Sequence, residues 1–427
     1  MNLAEKFLRY SANRDVVFVL GAGASHPDGV PLQRDMLPMI ISGGINEIEN
    51  SEIGKIVVEF IKDNFEFNPS TNQYPQLEAV FGFIDYFIQQ NESLNSKYTN
   101  EKIRDIKEYL IKLIHYVVNI QTDKRSHFYH LFWNAIQKNN SNTSIITLNY
   151  DTLLEQAFDF LFKNHGYIDY CIHLMNYERL PELQNFNFWI NPREPILVDK
   201  NDDPIPFKII KLHGSLNWKY CKCCNQTLLT PWDRMIDLNK GKFLGYTYPE
   251  NKEYEFLCPI DGTEFQTLIM PPTYLKTIHH PLISQLMTEA SREIRATKKI
   301  VFIGYSLSSS DVHIKALFKK QMTPEKEIIV WKLFQFSRVR LQKLAKINIE
   351  DGILKYQMGE IVCNNSEATY MYVVDENEEL YTALFFANHH QILGNKPVVC
   401  AGHITISNGK ITKITNLSGH YKPAPGH

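Results

Sequence analysis

The sequence lacks any apolar run long enough to cross a membrane as a helix, for which about 20 residues are needed. Its opening residues, MNLAEKFLRY, hold no apolar signal-peptide core. A surplus of either charge is missing too: 45 Lys and Arg stand against 47 Asp and Glu, a net charge of -2. A dedicated nucleic-acid binder normally carries a basic excess that neutralises phosphates, so that class is set aside and only a local basic patch stays open. Cysteines number seven, and three of them crowd into Cys221-Lys222-Cys223-Cys224. An odd, clustered set does not suit the disulfide framework of a secreted protein; it suits a metal site in a reducing compartment. These absences make a cytoplasmic protein the expectation, with no membrane and no dedicated nucleic-acid partner.

What is present looks globular. Hydrophobic residues make up 44% and charged residues 22% of 427, which is more chain than one compact core holds, so two or three folding units are expected. The chain is organised around VVFVLGAGASHPDGVPLQR, Val16 to Arg34. Five uninterrupted apolar residues, Val16 to Leu20, read as a strand buried on both faces. Gly21-Ala22-Gly23-Ala24-Ser25 follows at once, and glycine there lets the backbone turn sharply and approach a ligand closely. A helix opening just beyond would aim free N–H groups and its positive dipole end at a phosphate pair. The spacing departs from G-x-G-x-x-G, because His26 stands where the third glycine belongs and Gly29 comes three residues late. Alone, such a loop is as readily a tight strand-to-helix turn.

Further along, Met1 to Tyr10 reads as a short helix. Residues 35–140 show helical spacing, with Leu77, Val80, Phe81, Ile84 and Phe87 on one face and Ile106, Leu110, Leu113 and Ile114 on another. This region is expected to be a helical insertion over the glycine loop. A second buried strand is expected at Ser144 to Leu148, and further strands at Phe207 to Leu212, Lys299 to Ile303 and Glu327 to Trp331, with a basic amphipathic helix near Arg338 to Lys346. The first three of these end in Asn149-Tyr150-Asp151, His213-Gly214-Ser215 and Gly304-Tyr305-Ser306. Asn and Asp at such junctions serve as helix caps, yet strand ends are also where the crevice of an α/β sheet lies. The expected fold is α/β: a doubly wound parallel Rossmann-like sheet over 1–347, with the helical insertion, a small cysteine-bearing lobe at 165–275, and a β-rich appendage at 348–427. In the appendage, Asn408-Gly409 marks a two-residue hairpin turn. In the lobe, Cys221, Cys224 and Cys258 have metal-ligand spacing, but Asp261 stands where a second CxxC would end. Zinc and a metal-free remnant both stay open, and the broken motif favours the remnant.

Taken together, GAGAS at Gly21, TLNYD at Thr147, KLHGS at Lys211 and GYSLSSSD at Gly304 resemble the Sir2 (sirtuin-like) superfamily, most nearly its bacterial branch of NAD-destroying anti-phage defence enzymes. The resemblance covers about 10–345. It implies NAD held by Gly21, Ala22, Gly23, Ser25, Arg34, Gly304 and Ser306, with Asn149, Asp151 and His213 catalytic. Gln33 stands where the family has Phe before its arginine. The implied activity is NAD glycohydrolysis to ADP-ribose and nicotinamide, depleting NAD in abortive infection. NAD-dependent protein deacylation and a non-catalytic NAD or ADP-ribose sensor are the alternatives. Because unrestrained NAD loss harms the host, a homo-oligomer or a complex with a co-encoded nucleotide-processing or ATPase protein is expected.

Overall fold

The computed structural model describes residues 3–71, 73–122, 124–139, 142–162, 166–175, 189–190, 194–201, 204–230, 236–246, 252–272, 280–308, 311–331, 345–350, 353–356, 367–375, 380–383, 398–407 and 410–415. The chain divides into two compact units, Met1–Gln335 and Phe336–His427, where the sequence reading drew its line at 347/348.

The first unit opens with β1 (Leu3–Lys6), a strand where the sequence suggested a helix. It pairs antiparallel with β6 (Ile196–Asp199), a partner too remote in the chain for local pattern to reveal. Next comes β2 (Arg14–Leu20), the buried strand before the glycine loop. With β3 (Thr143–Thr147), β4 (Gly166–Asp169), β5 (Trp189–Ile190), β7 (Ile205–Lys211), β14 (Thr297–Ile303) and β15 (Glu327–Trp331), it forms a seven-stranded sheet. The order is β15-β14-β2-β3-β7-β4-β5, and every pairing in it is parallel. From β2 the chain winds one way through β3, and from β14 the other way to β15. The switch point therefore falls between β2 and β14.

Helices cover both faces. Consecutive residues of a strand point to opposite sides, and Phe207 and Lys208 of β7 mark the two layers. Phe207 packs on Trp133 of α7 (His127–Asn139) and Phe158 of α8 (Leu153–Phe162). Lys208 Nζ reaches Glu289 at 3.4 Å and Glu293 at 2.8 Å on α9 (Pro281–Ala296). Arg14 and Ser144 also bond to Glu293. Burial raises the Glu293 carboxyl, but Lys208, Ser144 and Arg14 outweigh burial and hold it below the ordinary range. This buried charge cluster pins α9 to β2, β3 and β7.

Between β2 and β3 run α1 (Ala22–Ser25), α2 (Gln33–Ile41), α3 (Asn46–Asn50), α4 (Glu52–Asn64), α5 (Leu77–Gln90), α6 (Asn100–Thr122) and α7. The two expected apolar stripes lie on α5 and α6 and are buried except for the partly exposed Phe87. The span assigned to the cysteine lobe needs correction. Residues 166–169, 189–190 and 205–211 belong to the main sheet, and the lobe is built from later strands. Those are β8 (Gly214–Tyr220), β9 (Thr227–Leu229) and β13 (Gln266–Ile269) in one sheet, and β10 (Ile236–Asp237), β11 (Lys242–Tyr246) and β12 (Glu253–Glu255) in another.

The second unit is an antiparallel sheet of β16 (Ala345–Glu350), β17 (Ile353–Tyr356), β18 (Glu367–Asp375), β19 (Leu380–Ala383), β20 (Val398–Ser407) and β21 (Lys410–Thr415). Ser407 pairs with Lys410, which fits a two-residue hairpin loop, although Asn408 and Gly409 themselves lie outside the described residues. The expected basic helix falls mostly outside them as well, and where it enters them, at Ala345 and Lys346, the chain is strand β16.

Candidate active site

The C-terminal ends of β2, β3 and β14, with the turn after β7, surround a cleft of about 1260 Å³. It is lined by Gly21, Ala22 and Gly23 of the loop, and by Asn149, Asp151, His213, Gly304 and Ser306. Arg34 and Tyr74 line it from the helical region. Arg34 is exposed, with its Nε 3.7 Å from Asp35. Ser25 is placed differently. It is fully buried beneath the loop rather than among the cleft-lining residues.

The loop works by packing on the neighbouring strand end. Gly21 N–H donates to Ile303 O at 3.0 Å, and Gly23 N–H donates to Gly304 O at 2.9 Å. The helix expected after the loop is a single turn, α1, that passes into a short tight helix at His26–Asp28. The close approach that the glycines allow is thus to the Gly304 backbone.

Below the loop a hydrogen-bond network fixes Asn149. Its Nδ2 donates to Gly21 O at 3.0 Å and to Ser25 Oγ at 2.9 Å. Tyr129 OH lies 2.9 Å from Ser25 Oγ, and the Ser25 hydroxyl is also bonded to Asp151. Asp151 accepts from Leu153 N–H at 3.1 Å at the start of α8, as a capping residue would. Burial raises its carboxyl, and the Lys211 ammonium partly opposes that shift. Lys211 is itself buried, donating to Asp151 O at 2.6 Å and to Glu155 at 2.7 Å. Across the cleft, His213 Nε2 lies 3.2 Å from His313 Nε2 and 3.8 Å from Asp311 Oδ1. Tyr305 OH donates to Asp311 Oδ2 at 3.2 Å.

Residues 143–350 match the family model of the SIR2-like domain. That match supports the Sir2 superfamily over this span, which holds Asn149, Asp151, His213, Gly304 and Ser306, while the glycine loop precedes it. The middle domain of IQ motif-containing proteins matches residues 342–427. Among solved structures, a Sir2 homologue–NAD complex is 13% identical over 74% of this chain and 77% of that one, with a TM-score of 0.35. Sir2 bound to an acetylated peptide is 11% identical over 76% of this chain and 84% of that one, also with a TM-score of 0.35. No curated protein matches the chain.

The cysteine lobe gathers a second donor cluster. Cys224 Sγ and Cys258 Sγ stand 3.8 Å apart, and Cys221 Sγ lies 3.3 Å from Asp261 Oδ2. All four residues fall within 4.8 Å of one another at their ligand atoms. Tetrahedral thiolates about 2.3 Å from zinc stand about 3.8 Å apart, so the donors fit that ion. Burial pushes the Cys258 thiol up to about 12, so it stays protonated unless a metal takes the proton's place. Cys223 is exposed and outside the cluster.

Tyr129 and His313 belong to none of the sequence motifs, and Asp311 stands there only as the last residue of GYSLSSSD. The Asp-x-His pair at the opening of α10 (Val312–Gln321), seven residues after the strand-end Gly304, is the available signal.

Proposed function

We propose that the cleft binds NAD and hydrolyses its nicotinamide–ribose bond, releasing nicotinamide and ADP-ribose. The observation that carries this is the convergence of Gly21–Gly23, Asn149, Asp151, His213, Gly304 and Ser306 around one cleft at the sheet's switch point. The SIR2-like match supports an NAD-dependent activity. Cleaving the bond leaves positive charge on the ribose, so the site must hold the sugar and present one nucleophile. Asn149, tied at Nδ2 to Gly21 and Ser25, offers its amide oxygen to a ribose hydroxyl or to the attacking water. Asp151 supplies a carboxylate near the developing charge. Water adds to the ribose carbon, nicotinamide leaves with the bonding electron pair, and His213 takes the proton released by the water. Arg34 and the loop face the pyrophosphate. Cys221, Cys224, Cys258 and Asp261 would hold a structural zinc remote from these steps. Within this reading NAD loss would serve bacterial defence, restrained by assembly or by a partner.

Incubating the purified chain with NAD, with and without an acetylated peptide, tests the reaction. Release of nicotinamide and ADP-ribose without peptide is the expected result, whereas cleavage that requires peptide points to deacylation and binding without cleavage to a sensor. Asn149→Ala should slow cleavage ~10²-fold or more, since a positioned polar group beside developing charge is worth about that much. Wild-type turnover by a folded Asn149→Ala protein would remove Asn149 from the mechanism.

A further inference from the structure

We propose that His213, Asp311 and His313 form a binding site for a divalent transition-metal ion, with zinc the reference case, opening onto the cleft. The three donor atoms lie within 4.8 Å of one another, with His213 Nε2 3.2 Å from His313 Nε2 and 3.8 Å from Asp311 Oδ1. Imidazole nitrogens and carboxylate oxygens bound tetrahedrally at about 2.0–2.2 Å from zinc stand about 3.4 Å apart. Both measured separations fall close to that edge. The first distance also suits a hydrogen bond between the rings, and the second, beyond hydrogen-bond reach, is that of a histidine–carboxylate ion pair. An ion shared by all three accounts for both.

The donor set points to a class of ion. Two imidazoles with one carboxylate suit zinc, iron, cobalt or nickel, whereas calcium and magnesium take oxygen ligands. The surroundings are built in the same sense. Tyr305 OH donates to Asp311 Oδ2, which fixes the carboxylate while Oδ1 lies toward His213. His213 comes from the turn between β7 and β8 and the other two ligands from the start of α10. His213 and Asp311 line the cleft, so a fourth position faces solvent or a ligand, as in an open metal site.

Such an ion holds the His213 nitrogen that the proposed hydrolysis uses as proton acceptor. On that reading metal occupancy and NAD cleavage exclude each other, and zinc switches the enzyme off.

Cobalt(II) added to the full chain tests the site without NAD. Thiolates of the cysteine lobe give a near-ultraviolet charge-transfer band; a site of nitrogen and oxygen donors gives only weaker visible bands. Cys221→Ser with Cys258→Ser silences the lobe, and should that variant fold poorly, the difference spectrum between wild type and His313→Ala isolates the nitrogen and oxygen site. The expected result is a thiolate-free cobalt spectrum that disappears in His313→Ala. Tyr305→Phe should weaken it about 10–100-fold, as loss of an outer-shell partner does. A wild type without thiolate-free bands, or a His313→Ala protein that keeps them, overturns the site. Absence of NAD cleavage under all conditions would sink the hydrolase reading and leave the cobalt result standing.

Discussion

A Cβ on Gly23 would stand 2.8 Å from Gly304 O and 2.9 Å from Gly304 Cα, and one on Gly304 would stand 2.1 Å from Ala24 N. Gly304 also has φ +63, a left-handed conformation that other residues adopt at a cost. The two glycines are therefore complementary, and the loop keeps its place only while both lack a side chain. Gly23→Val drives a branched side chain into the Gly304 backbone, which cannot give way as a flexible side chain would. Destabilisation of about 1–3 kcal/mol is expected, as for an overpacked core, together with lost NAD affinity. Thermal unfolding and calorimetry on the same preparation check both. Unchanged stability with lost affinity would instead mean that the valine obstructs the ligand directly, as the sequence alone suggested. The same residue scale shows why Asn149 and His213 were legible: each follows a recognisable apolar strand. Tyr129 was not, because its hydroxyl meets Ser25 from a helix 104 residues away, and nothing local marks that meeting.

At the scale of elements, α6 carries a pH sensitivity of its own. His115 is buried on its apolar face, donating to Leu216 O near the Lys219 ammonium, and burial first and Lys219 second push its pKa well below the ordinary 6.5. Above 6.5 both folded and unfolded chains keep it neutral. As pH falls below 6.5 the unfolded chain binds a proton that the fold refuses, so stability drops by up to about 1.4 kcal/mol per pH unit. Urea unfolding of wild type and His115→Gln at pH 7.5 and 5.0 should show a shallower loss in the variant; equal losses would rule the histidine out. The cysteine lobe bears on a choice that the sequence left open. Three thiols and Asp261 converge at distances suited to zinc, so elemental analysis of the His313→Ala protein, which lacks the donor group of the cleft, is expected to find about one zinc per chain, falling away when Cys258→Ser is added. A metal-free His313→Ala protein would restore the remnant reading. Strands such as Thr143–Thr147 were readable because parallel strands buried in a sheet are near-continuous apolar runs, whereas Glu327–Trp331 stands at the sheet's edge, largely exposed, and was readable from its apolar run alone. Gly166–Asp169 and Trp189–Ile190 were not, being two to four residues long and defined only by their neighbours. The misread Leu3–Lys6 owes its strand form to Ile196–Asp199, which no local window contains.

For the whole molecule, the division at 335/336 separates two kinds of architecture. All residues lining the cleft, from Gly21 to Asp311, belong to the first unit, which also holds the complete parallel sheet and its covering helices. The second unit pairs its own antiparallel strands with one another, with Tyr372, Ala401, Ile404 and Ile406 among its buried residues. Among the described residues, neither sheet draws a strand from the other unit. A chain ending at residue 335 should therefore fold, keep its unfolding temperature within a few degrees and bind NAD as the full chain does. If catalysis is restrained by assembly, the restraint has to lie in surfaces that catalysis does not use, and the second unit supplies one. The shortened chain should then cleave NAD without the full chain's dependence on partner or oligomer. Light scattering and nicotinamide release, measured on both lengths across a concentration series, decide the matter. A shortened chain that assembles and responds like the full one would move regulation to the helical region between β2 and β3.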